Sequence, residues 1–400
     1  MQLFNMGLAA GLSLQAGIAT LLVGPAGVGK TEIAEAMCRK LGYHFCGTII
    51  GTQCDPGTDF GMPVLVTDPD TGVQHVVKLP GHVFREAIAA AGRGQIPVIF
   101  FDEMNTCSPL VRAAMLTVIQ SKLVGDVRLP SETRFIAAMN PPDIAPNATD
   151  IMPPTASRYL WLGFESERRW RLPLDFWRRS KAQGFPDPEL LILPNDWESH
   201  IPDAAGLVDA FLLSNPEAYE DEQDIRCVNA PVACPRTWTW VERVLAACES
   251  VHAPFEVMEM CLSGLVGKGN GLALMEFRKL RDLADVDLCL ANAGPIPQRG
   301  DVCFLLFEAA SVKLREEPTV QRWQQFWNLY AASDAAGMVD YALPGAEKVC
   351  RQASPKLANG SPNPHFIPGA LKALPKGMKS VMEIFRMVGM SPDASAGGAA

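Results

Sequence analysis

A glycine-rich turn lies between an apolar run and a helix-forming stretch near the start of the chain, and this feature most constrains the fold. The apolar run covers residues 19–23, and the turn after it reads Gly24-Pro25-Ala26-Gly27-Val28-Gly29-Lys30-Thr31. Glycines let the backbone turn so that successive N–H groups point inward at phosphate oxygens. Residues 32–41 are predicted to form a helix that ends near Gly42, and its N-terminus adds positive dipole character there. This P-loop pattern predicts that the chain binds a nucleoside triphosphate.

Polar residues at two positions suit the chemistry of a magnesium nucleotide. Lys30 can reach the β- and γ-phosphates, and the Thr31 hydroxyl can bind Mg²⁺. The run Val98-Ile99-Phe100-Phe101-Asp102-Glu103 describes a buried strand that carries two carboxylates to the C-terminal edge of a sheet, where ligands lie in open α/β folds. Asp102 suits direct or indirect coordination of Mg²⁺, and Glu103 suits the general base that deprotonates the attacking water.

Three further residues are candidates for the same site, each with a plainer alternative. Asn140 follows the strand-like run 133–139 and could bind the γ-phosphate or the attacking water, or simply form an Asn-Pro turn. Arg158 could be a finger on the nucleotide of a neighbouring subunit, or a solvated surface arginine. Arg236 opens a predicted helix, where a cation opposes the dipole, so it needs an anion, either a nucleotide phosphate or a nearby carboxylate.

The chain changes character near residue 165. Before this point, short apolar runs alternate with helical stretches, which predicts a parallel sheet with helices on both faces. The predicted strands cover residues 19–23, 45–51, 97–101, 133–139 and 159–164. All eight tryptophans lie at or beyond Trp161, and the P-loop region has none. Helical periodicity dominates beyond residue 165, over residues 237–251, 302–314 and 320–332. Residues 354–376 are predicted to be irregular, and 391–400 to be a disordered tail.

Composition narrows the classes of function. Thirty-five basic and 44 acidic residues give a net charge of −9, which argues against nonspecific nucleic-acid binding. Eleven cysteines without a CxxC pair are interpreted as reduced thiols of a cytoplasmic protein, without a disulfide framework or metal site. Residues 1–23 are apolar but lack a basic start and run into the P-loop strand, so no signal peptide is expected. No segment is long and apolar enough to predict a membrane span.

The order of these motifs resembles that of AAA+ ATPases, and in detail that of the MoxR-type branch, related to dynein-type and CbbQ/NorQ-type modules. Further agreement comes from Pro80-Gly81-His82-Val83-Phe84, from Asp102-Glu103-Met104-Asn105 and from Ser108-Pro109. The resemblance is strong over about residues 7–165 and moderate through 250. It implies an α/β P-loop core with a parallel sheet in residues 1–165, an all-α lid in 166–270 and a helical C-terminal region in 271–390. It also implies ATP and Mg²⁺ as ligands.

The resemblance implies two β-hairpin insertions, over residues 62–79 and 123–133, the first of them facing a pore. Their charges are mixed, with Lys78, Arg128 and Arg134 against Asp68, Asp70, Asp126 and Glu132. A motor that moves along DNA is expected to carry basic hairpins, so mixed and partly apolar hairpins favour a protein client. The alternative is a plain solvent-exposed hairpin.

The resemblance also implies how the protein works. It implies a homo-hexameric ring in which Arg158 acts on the nucleotide of the neighbouring subunit and Arg236 on that of its own. It further implies chaperone-like remodelling of a protein client beside a von Willebrand A-domain partner. Two alternatives stay open: a DNA-stimulated motor in defence or recombination, and a nucleotide-switch scaffold, which the presence of Glu103 disfavours.

Overall fold

The computed structural model describes residues 2–145, 147–163, 178, 181, 188–219, 228–281, 286–356, 361–374 and 384–385. The chain divides into two compact units, one of residues 1–201 and 217–272, the other of residues 202–216 and 273–400. The predicted limits of core, lid and C-terminal region stay predictions. The predicted boundary at residue 165 and the predicted tail at 391–400 lie outside the described residues.

The first unit is built on a parallel five-stranded sheet, as predicted. Its strands are β1 (Thr20–Val23), β2 (His44–Ile50), β5 (Pro97–Asp102), β8 (Arg134–Met139) and β9 (Leu160–Gly163). They lie in the order β2-β5-β8-β1-β9, and every neighbouring pair is parallel. All C-terminal ends therefore meet at one edge of the sheet, and the strand that leads into the glycine-rich turn is flanked on both sides.

Helices surround this sheet and supply the rest of the core. In the first unit they are α1 (Gln2–Gln15), α2 (Lys30–Leu41), α3 (His82–Gly92), α4 (Pro109–Ser121), α5 (Pro153–Ala156) and α7 (Pro235–Ser250). The four residues Val98–Phe101 of β5 are completely buried, which explains their apolar character. Burying such a side chain contributes about 1.5–3 kcal/mol relative to leaving it in water. Strand β5 is thus fully packed just before the two acidic residues that follow.

The apolar start of the chain forms helix α1, which the sequence did not predict. Its residues Leu8, Leu12 and Leu14 are almost completely buried. The segment packs within the first unit and leads into β1. None of the helices in the described part of the chain is long and apolar enough to cross a membrane.

A hairpin forms where the first insertion was predicted. Strands β3 (Met62–Thr67) and β4 (Gln74–Leu79) pair antiparallel, with Met62 opposite Leu79. Apolar side chains are unusually exposed here: Leu65 is 61% and Val76 60% exposed. The hairpin therefore presents apolar surface away from the core.

The second predicted insertion is smaller than expected. Strands β6 (Leu123–Val124) and β7 (Val127–Arg128) have two residues each, so the hairpin spans less than the predicted 123–133. The two hairpins are joined, because the backbone N–H of Lys78 donates to a carboxylate oxygen of Asp126 at 2.7 Å and its carbonyl accepts from the Asp126 N–H at 3.1 Å.

The second unit is helical where it is described. It contains most of α6 (Ile201–Ser214), part of α8 (Phe255–Arg281), and α9 (Val286–Asn292), α10 (Gly300–Glu316), α11 (Val320–Ala335) and α12 (Val339–Cys350). Its core is rich in aromatic rings, including Trp323, Trp327 and Tyr330. The predicted helical segments 302–314 and 320–332 are confirmed. Residues 354–374 are largely irregular where described, also as predicted.

Candidate functional site

The glycine-rich turn adopts a phosphate-cradling conformation. Gly27 and Gly29 have φ of +74° and +89°, which residues with a side chain rarely adopt. Lys30 begins α2 directly behind them, and its side chain is almost fully buried. Its ammonium donates to the carbonyls of Gly24 at 2.8 Å and Pro25 at 2.9 Å. The Lys30 side chain thus lies over the glycine-rich turn. Burial lowers the pKa of Lys30, and the charge of Asp102 opposes that effect.

The two carboxylates lie at the same edge of the sheet. Asp102 is the last residue of β5, and one of its oxygens accepts the Glu103 N–H at 2.8 Å. Burial raises the pKa of Asp102, against the opposing effects of that hydrogen bond and of the Lys30 charge. A cation near Asp102 would offset this burial, because it favours the charged carboxylate.

Glu103 is held by a residue that the sequence did not single out. The Thr52 hydroxyl donates to the Glu103 carboxylate. Thr52 lies in the short turn after β2. This turn packs closely on the turn that carries Glu103, since a Cβ on Gly51 would come within 2.7 Å of the Cys107 Cβ. Only glycine fits there. Glu103 itself has φ of +58°, an uncommon conformation for a residue with a side chain.

Asn140 completes this group of residues. Its side-chain oxygen accepts from the Lys30 ammonium at 2.9 Å, with the amide orientation assigned from that contact. Its backbone carbonyl accepts from the side chain of buried Asn105 at 2.7 Å. A cavity of ≈ 370 Å³ opens beside Asn140, and its lining includes Ala26, Thr52 and Glu103.

The two arginines lie at the opposite edge of the sheet. Arg158 comes two residues before the first residue of β9, which pairs with the first residue of β1. Gly24 instead follows the last residue of β1, at the other end of the strand. The four residues of β1 span about 13 Å. The Arg158 guanidinium donates to Gln120 at 2.7 Å, and Gln120 lies near the C-terminal end of α4, the helix that returns the chain to this edge.

Arg236 lies beside Arg158 rather than beside Lys30. Its guanidinium donates to the Ser157 hydroxyl at 3.2 Å. Burial lowers the pKa of Arg158, and the neighbouring charge of Arg236 lowers it further. Within the described part of the chain, neither arginine forms an ion pair with a carboxylate. The carboxylate alternative for Arg236 thus finds no support among the described residues, and a nucleotide phosphate as its anion stays a prediction.

Comparison with known proteins identifies the nucleotide-binding part. Residues 20–150 match the family model described as "ATPase family associated with various cellular activities (AAA)". These residues form an AAA ATPase domain. The chain is thus an ATPase, and its AAA domain contains the P-loop, both carboxylates and Asn140. Arg158 and Arg236 lie beyond the matched residues.

Two other comparisons give little information beyond the AAA domain. No curated protein matches the chain. One solved structure, of a protein of Cytophaga hutchinsonii whose name gives ATPase as a provisional assignment, is 15% identical; the match covers 67% of this chain and 77% of that one, with a TM-score of 0.36. These values are too low to support a conclusion.

The donor set of the AAA domain suits the Mg²⁺ that such a domain implies. Thr31 follows Lys30 in the first turn of α2, and Asp102 ends the buried strand β5. Hydroxyl and carboxylate oxygens are the hard donors that Mg²⁺ prefers. The burial of Asp102, which disfavours its charged form, is a second reason to expect a cation beside it.

Proposed function

We propose that this chain is a Mg²⁺-dependent ATPase of the MoxR-type branch that works as a homo-hexameric ring and remodels a protein client. The observation that carries the ring is the separation of Arg158 and Arg236 from the P-loop by the length of the sheet. Two adjacent cations that have no carboxylate partner among the described residues suit the phosphates of a nucleotide. Because their own nucleotide site is at the other edge, a neighbouring copy is the natural source of those phosphates.

This proposal changes the role expected for Arg236. The resemblance implied that it acts on the nucleotide of its own chain. Its contact with Ser157, directly before Arg158, instead supports action together with Arg158 on the neighbour's nucleotide. Both guanidiniums would then neutralise charge that develops on the γ-phosphate of the adjacent subunit.

The P-loop edge supplies the remaining chemistry. The amides of residues 24–31 and the Lys30 ammonium hold the phosphates, while Thr31 and Asp102 hold Mg²⁺. When bound, Mg²⁺ neutralises charge on the β- and γ-phosphate oxygens. Glu103, once it leaves Thr52, takes a proton from the attacking water, and Asn140 orients that water.

The hairpins support a protein client rather than DNA. Leu65 and Val76 lie opposite each other and are both about 60% exposed, so the first hairpin presents an exposed apolar pair. Lys78 is the only lysine or arginine in residues 62–79, which also contain Asp68 and Asp70. An apolar surface of this kind fits extended protein better than a phosphate backbone. We include a von Willebrand A-domain partner in the proposal on the strength of the resemblance alone.

A mixing experiment tests the ring. Arg158→Ala lacks the finger and Glu103→Gln lacks the base, so each should be inactive alone. In a mixed ring, the intact site of an Arg158→Ala subunit can receive the finger of a Glu103→Gln neighbour. ATPase activity should return on mixing, with co-assembly verified by native mass spectrometry. Full wild-type turnover by a protein shown to be monomeric would overturn the proposal.

A further inference from the structure

The turn that presents Glu103 depends on contacts from outside it. Glu103 has a positive φ, so the surrounding structure must hold the turn in place. The Met104 N–H donates to the Ala138 carbonyl at 3.0 Å, which ties the turn to strand β8. The Asn105 side chain donates to the Asn140 carbonyl, which ties it to the end of that strand.

A third anchor comes from Arg112 on α4. Its Nε donates to the Met104 carbonyl at 3.2 Å, one residue beyond Glu103. Its Nη1 donates to the Asp150 carbonyl at 3.1 Å, and its Nη2 donates to the Thr149 hydroxyl. All three acceptors are uncharged, and they belong to two separate segments of the chain.

The second of these segments leads to the arginines of the far edge. Residues 149–151 run into α5, which ends one residue before Ser157. The Asn229 side chain accepts the Ile151 N–H at 2.8 Å and donates to Asp150 at 2.7 Å, so the segment that precedes Arg236 is tied to the same place. Arg112 thus contacts, on one side, the turn of the catalytic base and, on the other, the segment that carries the finger.

The chemistry of the guanidinium suits this position. Arginine presents five donors in a rigid planar fork, whereas lysine offers a single compact charge. Only the fork can bond carbonyls of two segments at once in fixed geometry. The N-terminal turn of α4 is itself fixed, because the Ser108 side chain accepts the Val111 N–H.

We propose that Arg112 is a positioning residue for ATP hydrolysis that fixes the Glu103 turn to the segment leading to Arg158. The part of this proposal that concerns Glu103 depends only on the ATPase activity. The part that concerns Arg158 depends also on the proposed function, in which Arg158 acts on the nucleotide of the neighbouring subunit. A displacement of about 1 Å at a reacting group can cost on the order of 10²-fold in rate. Arg112→Met should therefore lower kcat by about 10- to 100-fold and leave the dissociation constant for a fluorescent ATP analogue within about twofold of wild type.

Matched variants separate positioning from folding. Arg112→Lys keeps the charge but not the fork, and should recover only a small part of kcat. Arg85→Met removes an exposed arginine from α3 in the same unit and should leave kcat unchanged. If Arg112→Met and Arg112→Lys both weaken nucleotide binding and lower the melting temperature in step with the lost rate, the role is merely structural and the proposal is overturned.

A double-mutant cycle measures whether Arg112 acts through the base. In single turnovers, Arg112→Met should slow Glu103→Gln by less than about threefold, because the group that it positions is already gone. The same change on a Lys30→Ala background should keep its full effect. An equal loss with and without Glu103 would overturn the proposal.

A second cycle with Arg158→Ala tests the other arm. On the Arg158→Ala background, too, Arg112→Met should lower kcat less than it does in wild type. An undiminished loss of kcat would restrict the action of Arg112 to the Glu103 turn and overturn the link between the two segments. If Arg158→Ala alone keeps wild-type turnover, the finger of the proposed function fails instead, while the cycle with Glu103 still decides the first arm.

Discussion

The two edges of the central sheet differ in how their charged groups are satisfied. At the C-terminal edge, Lys30 is bonded to Asn140 and to backbone carbonyls, and Glu103 is bonded to Thr52. At the N-terminal edge, Arg158 and Arg236 lie side by side and contact only neutral groups among the described residues. One edge is a site with its own internal partners, and the other is a pair of cations that needs an anion.

Under the proposed ring, this difference means that the arginines serve the nucleotide site of a neighbouring copy. Like charges held together in a half-buried place destabilise one another, and the lowered pKa of Arg158 reflects burial first and this repulsion second. A neighbour's nucleotide phosphates would relieve both. The comparison therefore predicts distinct consequences for mutations at each edge.

The largest effect is expected at the arginine edge. Arg158→Ala should bind ATP as tightly as wild type and lose hydrolysis by on the order of 10³-fold or more, as fingers of this kind contribute in other P-loop enzymes. Steady-state ATPase assays and equilibrium nucleotide binding on the same preparation check this. A parallel loss of ATP binding would contradict the separation of the two edges.

The next effect is expected at the P-loop edge. Glu103→Gln removes the base but leaves the phosphate cradle intact, so kcat should fall by on the order of 10²–10⁴-fold with ATP binding retained. Lys30→Ala is the matched contrast, because it should weaken binding itself. Wild-type turnover in Glu103→Gln would show that another group is the base.

The positions of Lys30, Asp102 and Glu103 could be predicted from the sequence because local patterns mark these residues. Asp102 and Glu103 end an apolar run, and Lys30 sits in a glycine-rich motif, so the strands and the turn fix their positions. Thr52 has no such signal. It reaches Glu103 only because β2 and β5 are neighbours in the sheet and Gly51 allows close packing.

Other parts depended on tertiary contacts that spacing does not encode. Helix α1 was missed because its buried face reads as a continuous apolar run. The contact of Arg236 with Ser157 was not predicted, because these two residues lie far apart in the sequence. Arg112 carried no signal either, since its acceptors are two backbone carbonyls and a hydroxyl that belong to two segments distant in sequence.

A smaller effect should follow from releasing Glu103. A hydrogen bond to a charged group contributes roughly 1.5–3 kcal/mol, so Thr52→Val should free the carboxylate and raise basal ATPase activity by about ten- to a hundredfold. Thr48→Val in β2, the strand that leads into the turn of Thr52, is the control and should leave the rate unchanged. A fall in turnover with Thr52→Val would instead make Thr52 a positive contributor at this edge.

The smallest effect is expected in the second unit. Burial raises the pKa of Glu308 despite its 2.8 Å ion pair with Lys348. The folded chain therefore holds this proton where the unfolded chain has lost it, and the free energy of unfolding should fall as pH rises above the ordinary value of 4.5.

Melting temperatures across that pH range check this prediction. Glu308→Gln should flatten the slope relative to wild type, whereas Glu276→Gln, whose side chain is 67% exposed, should not. ATPase activity at neutral pH should change little in either variant. An unchanged slope in Glu308→Gln would show that its burial does not govern the titration.

The central claim is that both arginines serve the neighbouring subunit, and Arg236→Ala tests it most directly. If Arg236 acts beside Arg158, Arg236→Ala should regain ATPase activity when mixed with Glu103→Gln and should gain none when mixed with Arg158→Ala, because both would then lack the same edge. If Arg236 acts on its own nucleotide, the pattern reverses: mixing with Arg158→Ala restores activity and mixing with Glu103→Gln does not. Co-assembly is verified in each mixture, and the reversed pattern would contradict the account.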